Sequence, residues 1–568
     1  MDNTTGGELL ASALANEGVK FVFGLPCPEI DPFLVALEGN GIRFVPIRHE
    51  AAGVHMAEGL YKTTGQVAVV LGNPGPGSAN LIPGLITAKH EGVPVLAITS
   101  QHRSGIVYPA TPATFQGQDQ LDLFKPAVKW NGPVFEWSRI PELVRMAFRE
   151  MWAGRPGPVQ LEVPGPVLYA IGDSTTAPIY TASINRNDSL CPTPHQVKLT
   201  AERLASAKTP VIFAGTGVER GKATEALLAL AERLGCPVIP SLAGRSVIAH
   251  DHPLFFSSQS PAADALRRDA DLILAVGTRL GNLDVPYDKY WGPSNPERLV
   301  QIDIDPRNIG VSRPVGIGLV ADAKLALEGI SAALVGQSHL SAGRVDLAER
   351  RNQDSAWRND WLSPISEWQN TSIHPAHAMG LIGAEFGRDA VYCTDGGMTS
   401  LWAGMALPSA RANSFHGILE LGMLGVGVPA AVGAKLGAPE REVVCVTGDG
   451  AAGFNIMELQ VAARERLNIT VVVMADGQWT MEIPNEQARW GKTFGTTMGE
   501  VGWEQVAIGL GCHGETVSIL AELPAALKRA HAYEGPALVC VRTSVEANLS
   551  VPQSVGGRFF EVYFGPSA

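Results

Sequence analysis

The sequence predicts an α/β protein built from three doubly wound parallel sheets. Three observations carry this reading. Short apolar runs rich in Val, Ile and Leu alternate with amphipathic stretches, the pattern of parallel strands covered by helices. The pattern occurs three times, separated by polar stretches. The chain has 568 residues, too many for one hydrophobic core. At roughly 100–200 residues per domain, about three domains are expected.

The first domain is read over residues 1–172. Its strands are Lys20–Phe23, Gln66–Leu71, Val93–Thr99 and Val159–Val163, with helices at Glu50–Tyr61 and Leu81–His90. The run Asn73-Pro-Gly-Pro-Gly-Ser-Ala-Asn80 is a Gly/Pro turn that opens a helix. Gly172–Asn187 reads as a linker. The central domain, 190–335, holds the β-rich runs 209–218, 236–242, 271–277 and 299–306 and a helix over Ala223–Leu234. The polar stretch Gly336–Thr371 crosses to the third domain, 372–545. There the strands fall within 391–397, 442–450, 468–477 and 536–543, with a helix at Ile456–Arg466. The tail 546–568 carries Phe559, Phe560, Tyr563 and Phe564, too apolar to remain in solvent, and is expected to dock as a candidate lid.

Composition narrows the class. Apolar residues make up 45% and charged residues 18%, as in globular proteins. A net charge of −12 argues against nucleic acid as the main partner. Seven scattered cysteines with no CxxC pair read as reduced, mostly buried thiols of a cytoplasmic protein. The opening MDNTTGGELL has no basic or apolar leader region, so no secretory signal is expected. No window of 18 uninterrupted apolar residues occurs, so no membrane span is expected.

The chemistry centres on Gly448-Asp449-Gly450, which closes the apolar run Val-Val-Cys-Val and precedes a helix. Glycines there let backbone N–H groups approach an anion, and open α/β sheets bind ligands at the carboxyl ends of their strands. An Asp among phosphate-binding amides would repel the ligand unless a cation sits between them, and Mg²⁺ does this. Taken alone, the motif is equally a tight turn with a capping Asp. A helix and a strand further on, Asp476 emerges at the same sheet edge, so two carboxylates converge on one turn.

With these motifs the chain resembles the thiamine diphosphate (ThDP)-dependent decarboxylase/acetolactate synthase superfamily over essentially its whole length. That family's cofactor signature is GDG followed by a paired Asn; here Ala475-Asp476 stands in place of Asn-Asn. The resemblance implies a metal held by Asp449, Asp476 and the Gln478 backbone carbonyl. It also implies cofactor contacts from Gly396, Gly397, Met398, Leu424, Gly448, Gly450, Ala451 and Trp479. Arg48-His49-Glu50 matches the family's glutamate motif, which implies that Glu50 exchanges a proton with the cofactor's N1′. Read without the family, Glu50 is a helix-start acid offsetting the dipole. The cofactor is implied to lie between the first domain of one subunit and the third of another. That means a homodimer at minimum, with a homotetramer expected.

Two more side chains are implied in catalysis. Gln116 would hydrogen-bond a substrate oxygen, and Glu482 would shuttle a proton. Pyruvate decarboxylases carry an Asp after the first strand and a His pair before Gln116; both are missing here. The neighbours Cys27, Phe115, Trp479 and Met481 suit an apolar acyl or aryl group. The expected function is a ThDP- and Mg²⁺-dependent C–C lyase or carboligase acting on a small 2-hydroxy carbonyl or 2-oxo acid. The alternatives are a 2-oxo-acid decarboxylase and an acetolactate-synthase-type transferase. The turns Gly215-Thr-Gly217 and Asp303-Ile-Asp305 leave open whether the central domain binds FAD, ADP or neither.

Overall fold

The computed structural model describes residues 3–103, 105–109, 113–182, 189–335, 347–366, 368, 372–417 and 419–565. The first domain contains β1 (Asn3–Thr5), β2 (Phe21–Gly24), β3 (Arg43–Pro46), β4 (Val69–Gly72), β5 (Leu96–Gln101), β6 (Trp130–Pro133), β7 (Val159–Pro164) and β8 (Ile171–Asp173). Its sheet has the order β3-β2-β4-β5-β7-β6, all parallel, while β1 and β8 form a separate antiparallel pair. The start of the expected linker is thus a strand; residues 183–188 lie outside the described ones.

The central domain holds β9 (Pro210–Ala214), β10 (Val238–Pro240), β11 (Leu272–Val276), β12 (Leu299–Asp303) and β13 (Ile317–Val320) in the order β10-β9-β11-β12-β13. The third domain holds β14 (Val391–Asp395), β15 (Phe415–His416), β16 (Val443–Gly448), β17 (Thr470–Ala475), β18 (His513–Val517) and β19 (Ala537–Arg542). Its order, β15-β14-β16-β17-β19-β18, repeats the connectivity of the first sheet strand for strand. Both outer sheets therefore reverse direction between their first and third strands. That is where an open α/β sheet leaves a crevice for ligand.

Between the outer sheets lie two helices. Glu50–Thr64 is buried from Glu50 through Tyr61, and Gly427–Gly437 is buried from Gly427 through Leu436. Their sequences, EAAGVHMAEGLY and GVPAAVGAKLG, are rich in Ala and Gly because the backbones almost touch. A Cβ on Gly59 would stand 2.0 Å from the Ala430 carbonyl oxygen, and one on Gly433 would stand 1.8 Å from that of Met56. A single apolar core runs through this crossing from Phe23, Val45 and Val70 to Val443, Val471 and Val473. The crossing also buries charge, with Lys62 paired to Glu58 at 2.6 Å and Glu91 at 3.1 Å.

The C-terminal segment is held by apolar and polar contacts together: Val555 is fully buried in the core of the third domain. Arg558 pairs with Asp264 at 2.5 Å, and Glu561 with Lys289 at 2.6 Å, both partners lying on the central domain. Tyr563 and Phe564 remain largely exposed. Five of the seven free thiols are buried; Cys27 is half-buried and Cys191 exposed. Among the described residues, no helix is long and apolar enough to cross a membrane.

Because a methyl group at the crossing would overlap backbone, Gly433→Ala is expected to destabilise the protein by about 1–3 kcal/mol. Denaturant unfolding with an unchanged midpoint would contradict the close approach.

Candidate active site

The ends of β14 and β16 meet at the reversal point of the third sheet, in register from Val391 with Val443 to Asp395 with Thr447. Gly396 and Gly397 follow the first strand, and Asp449 and Gly450 the second. Gly396 has φ +89°, and a Cβ there would come within 3.2 Å of the Gly448 nitrogen. A Cβ on Gly450 would lie 2.5 Å from the Trp479 ring, and one on Gly397 would lie 3.1 Å from Met481. Backbone without side chains therefore ends both strands, with Trp479 and Met481 packed directly against it. Met398 and Ala451 are buried, the first in the core of the third domain. Leu424, with Met423, packs half-buried on the shared core.

Asp449 begins the helix Asp449–Asn455. Its Oδ1 accepts the Gly450 N–H at 2.9 Å, and its Oδ2 accepts the Gly477 N–H at 2.7 Å. Burial, and then the neighbouring Asp476 charge, push its carboxyl up to about 6, against the lowering effect of these bonds. Asp476 accepts three donors: the Gln478 N–H at 3.0 Å on Oδ1, and Thr480 Oγ1 at 2.5 Å and Asn548 Nδ2 at 2.7 Å on Oδ2. Gln478 forms an isolated bridge with Thr497. Its flanking bonds, Trp479 N–H to Thr496 O and Met498 N–H to Gly477 O, are both 2.8 Å and leave the Gln478 carbonyl out of the pairing. Glu482 is exposed just before the helix Ile483–Trp490.

A second cluster lies at the carboxyl ends of the first sheet. Glu50 is buried, and its Oε2 accepts Asn80 Nδ2 at 3.0 Å. Gly77 makes room for it, since a Cβ there would be 3.0 Å from Glu50 Oε1. Gln116 sits at φ +55° with its backbone against Gly75, where a Cβ would meet the Gln116 carbonyl oxygen at 2.9 Å. The loop bearing it is tied down by His102 Nε2 to Phe115 O at 2.7 Å and Gln101 Nε2 to Gln118 O at 2.9 Å. Tyr108 donates to Glu162 at 2.6 Å. Cys27 lies 3.8 Å from Ser100 Oγ, and burial pushes its thiol up to about 11, away from nucleophilic use.

One buried group joins the two clusters. Glu458, ending the short helix after Asp449–Asn455, accepts the backbone N–H groups of Arg48 at 3.1 Å and His49 at 3.0 Å, immediately before Glu50. Burial pushes its carboxyl up to about 7, although both amides favour the charged form. Among the described residues, no hydrogen bond joins Glu50 or Gln116 to Asp449, Asp476 or Glu482. Sequence reading missed Glu458, Asn80, Thr480 and Asn548. Only Glu458 left a trace, as an acid inside the apolar stretch Phe-Asn-Ile-Met-Glu-Leu-Gln-Val.

Comparison with known proteins decides the family. Residues 4–123 match the thiamine pyrophosphate enzyme N-terminal TPP binding domain, 197–330 its central domain and 395–541 its C-terminal TPP binding domain. The chain belongs to the thiamine pyrophosphate enzymes. It is 31% identical over 490 residues to the probable acetolactate synthase large subunit of Methanococcus aeolicus, covering 82% of this chain and 79% of that one. The acetolactate synthase isozyme 3 large subunit of Escherichia coli is 31% identical over 500 residues, covering 83% and 82%. The sulfoacetaldehyde acetyltransferase of Castellaniella defragrans is 29% identical over 555 residues, covering 93% and 90%.

The residues present fit the family's cofactor. Glycines at 396–397 and 448–450 leave backbone amides at the strand ends without side chains, and two neighbouring carboxylates in partly desolvated surroundings suit a cation. Among the described residues, no three His, Cys, Asp or Glu side chains gather as a metal site. Asp449, Asp476 and the Gln478 carbonyl would offer hard oxygens, the kind that suit a cation completing its shell on phosphate and water.

Glu458 also sets a pH dependence. A carboxyl raised to about 7 in the folded state stabilises fully below its ordinary range and loses that contribution as pH rises through 7. The thermal midpoint is expected to fall between about pH 5 and pH 8, and less steeply in Glu458→Gln. Parallel profiles would contradict the assignment.

Proposed function

We propose that this thiamine pyrophosphate enzyme is a Mg²⁺-dependent carboligase or lyase that makes or breaks a C–C bond next to a carbonyl or carbinol carbon. The carrying observation is the buried Glu50 carboxyl, held on Oε2 by Asn80 with Oε1 packed against Gly77, which has no side chain to displace it. Asp449, Asp476 and the Gln478 carbonyl would hold the metal, and Gly396, Gly397, Gly448 and Gly450 would admit the diphosphate. When bound, ThDP supplies a nucleophilic carbon and an electron sink. Glu50 holds and returns a proton at the aminopyrimidine. Leu424, packed against the shared core, would support the bound cofactor. Gln116 donates a hydrogen bond to a substrate oxygen, and Glu482, free in solvent beside Met481, moves the proton of the carbon acid.

Cys27 with its suppressed thiol, Phe115, Trp479 and Met481 offer an apolar acyl pocket. These residues are divided between the two clusters, which supports completion of each site by a second copy of the chain. Large apolar side chains beside each cluster support the same arrangement: Phe115 is 79% exposed, Phe454 57% and Met457 50%. A homodimer is the smallest unit that pairs them. The relatives named for acetolactate synthesis and acetyl transfer favour group transfer over simple decarboxylation.

With a 2-oxo acid and an aldehyde acceptor, an acyloin product is expected. Stoichiometric CO₂ and free aldehyde without acyloin would instead establish a decarboxylase. Glu50→Gln is expected to lower turnover by about 10²-fold or more, with the fold and thermal midpoint kept. Retention of full activity would remove Glu50 from the chemistry.

A further inference from the structure

The family resemblance implies that Asp476 replaces an asparagine, and its surroundings suit a carboxylate. A carboxylate offers about four lone-pair sites, two on each oxygen. Both sites on Oδ2 are filled, by Thr480 Oγ1 at 2.5 Å and Asn548 Nδ2 at 2.7 Å. Among the described residues, Oδ1 accepts only the Gln478 N–H at 3.0 Å, which leaves one site open. Asn548 is itself held firmly. It is 5% exposed, lies on the helix Val545–Leu549 capped by Ser544, and its carbonyl accepts the Trp402 indole N–H at 3.3 Å. Its amide also reaches Thr543 Oγ1 at 3.3 Å.

We propose that Asn548 is a positioning residue for the metal site: with Thr480 it saturates Asp476 Oδ2, so that Oδ1 alone faces the cation. The carboxylate then acts as a one-oxygen ligand, as an asparagine carbonyl would, and its extra charge is spread over two donors. This rests on the reading that Asp449, Asp476 and Gln478 hold a divalent cation.

The same bond ties metal loading to the C-terminal segment. Beyond Asn548, that segment is anchored by Ser550 to His374 Nε2 at 2.8 Å and by Ser554 to the Trp357 indole at 3.2 Å. Arg558 then pairs with Asp264 and Glu561 with Lys289. A cation that fixes Asp476 therefore also steadies the helix Val545–Leu549.

The test uses the full-length, ThDP-loaded protein and Mn²⁺ as the probe, with binding read by electron paramagnetic resonance. Asn548→Ala is expected to weaken Mn²⁺ binding about tenfold or more, the usual effect of removing a partner of a metal ligand. The reciprocal exchange, Asp476→Asn with Asn548→Asp, rebuilds a donor–acceptor pair around an amide ligand and is expected to recover most of that loss. Mn²⁺ is expected to slow hydrogen exchange across 545–549 in the wild type and not in Asn548→Ala. Should Asn548→Ala not fold, the exchange variant and Asn548→Ser, which keeps a shorter donor, carry the comparison. Wild-type binding with unchanged affinity in Asn548→Ala, or no recovery in the exchange variant, would overturn the role of Asn548. Failure of the wild type to bind Mn²⁺ at all would overturn the metal reading beneath it.

Discussion

The backbone contact between the helices Glu50–Thr64 and Gly427–Gly437 is the constraint on which the rest of the structure depends. It exists because Gly59 and Gly433 present no Cβ to Ala430 and Met56. It fuses the cores of two sheets with the same strand order into one. Each helix then starts at a reactive edge. The first begins with Glu50 itself. The second begins at Gly427, whose N–H is accepted by Asp395 Oδ2 at 2.8 Å, just before the glycine pair of the third sheet. Side chains larger than glycine at the contact would tilt both edges, so packing and chemistry share one geometric condition.

Beyond the ion-paired Lys62, Glu58 and Glu91, the acids around that contact are held by backbone amides. Asp395, Asp449 and Glu458 are acids in desolvated surroundings, each accepting two or more backbone N–H groups and each still pushed well above its ordinary range. Burial outweighs the hydrogen bonds in all three. Such groups are costly as structural carboxylates and suited to sites that exchange a proton or take a cation. Glu458 adds a mechanical link. In the proposed dimer, the domain that holds one diphosphate would also position, through Arg48 and His49, the Glu50 that serves the other cofactor.

Much of this was legible in sequence. The buried central strands announced themselves as unbroken apolar runs, so β4, β5, β7, β11, β12, β16, β17 and β19 were located to within a few residues. The missed strands β6, β13, β15 and β18 lie at sheet edges, where one side needs no apolar partner, and β1 and β8 form a pair outside the main sheets. WNGP and HGETV carry no periodic signal. The glycine turns and the Asp449/Asp476 pair could be read because their roles depend on residue type and spacing. Asn548, Thr480, Asn80 and Glu458 could not, because they act through contacts made only after the sheets and the tail assemble. Asn548 is 72 residues from the acid it touches. The tail's polar contacts were equally silent in sequence: Arg558 and Glu561 pair with the central domain while Val555 enters the third domain's core.

Subunit complementation tests most directly whether Glu50 and Asp449 serve a common site across two chains. Glu50→Gln and Asp449→Asn are each expected to be inactive alone. If the site spans two subunits, co-expressed chains assemble into mixed dimers with one intact site, and roughly a quarter of wild-type activity per total site should return. If both residues serve a site within one chain, every site in the mixture carries a defect, and the mixture would stay as inactive as its parents.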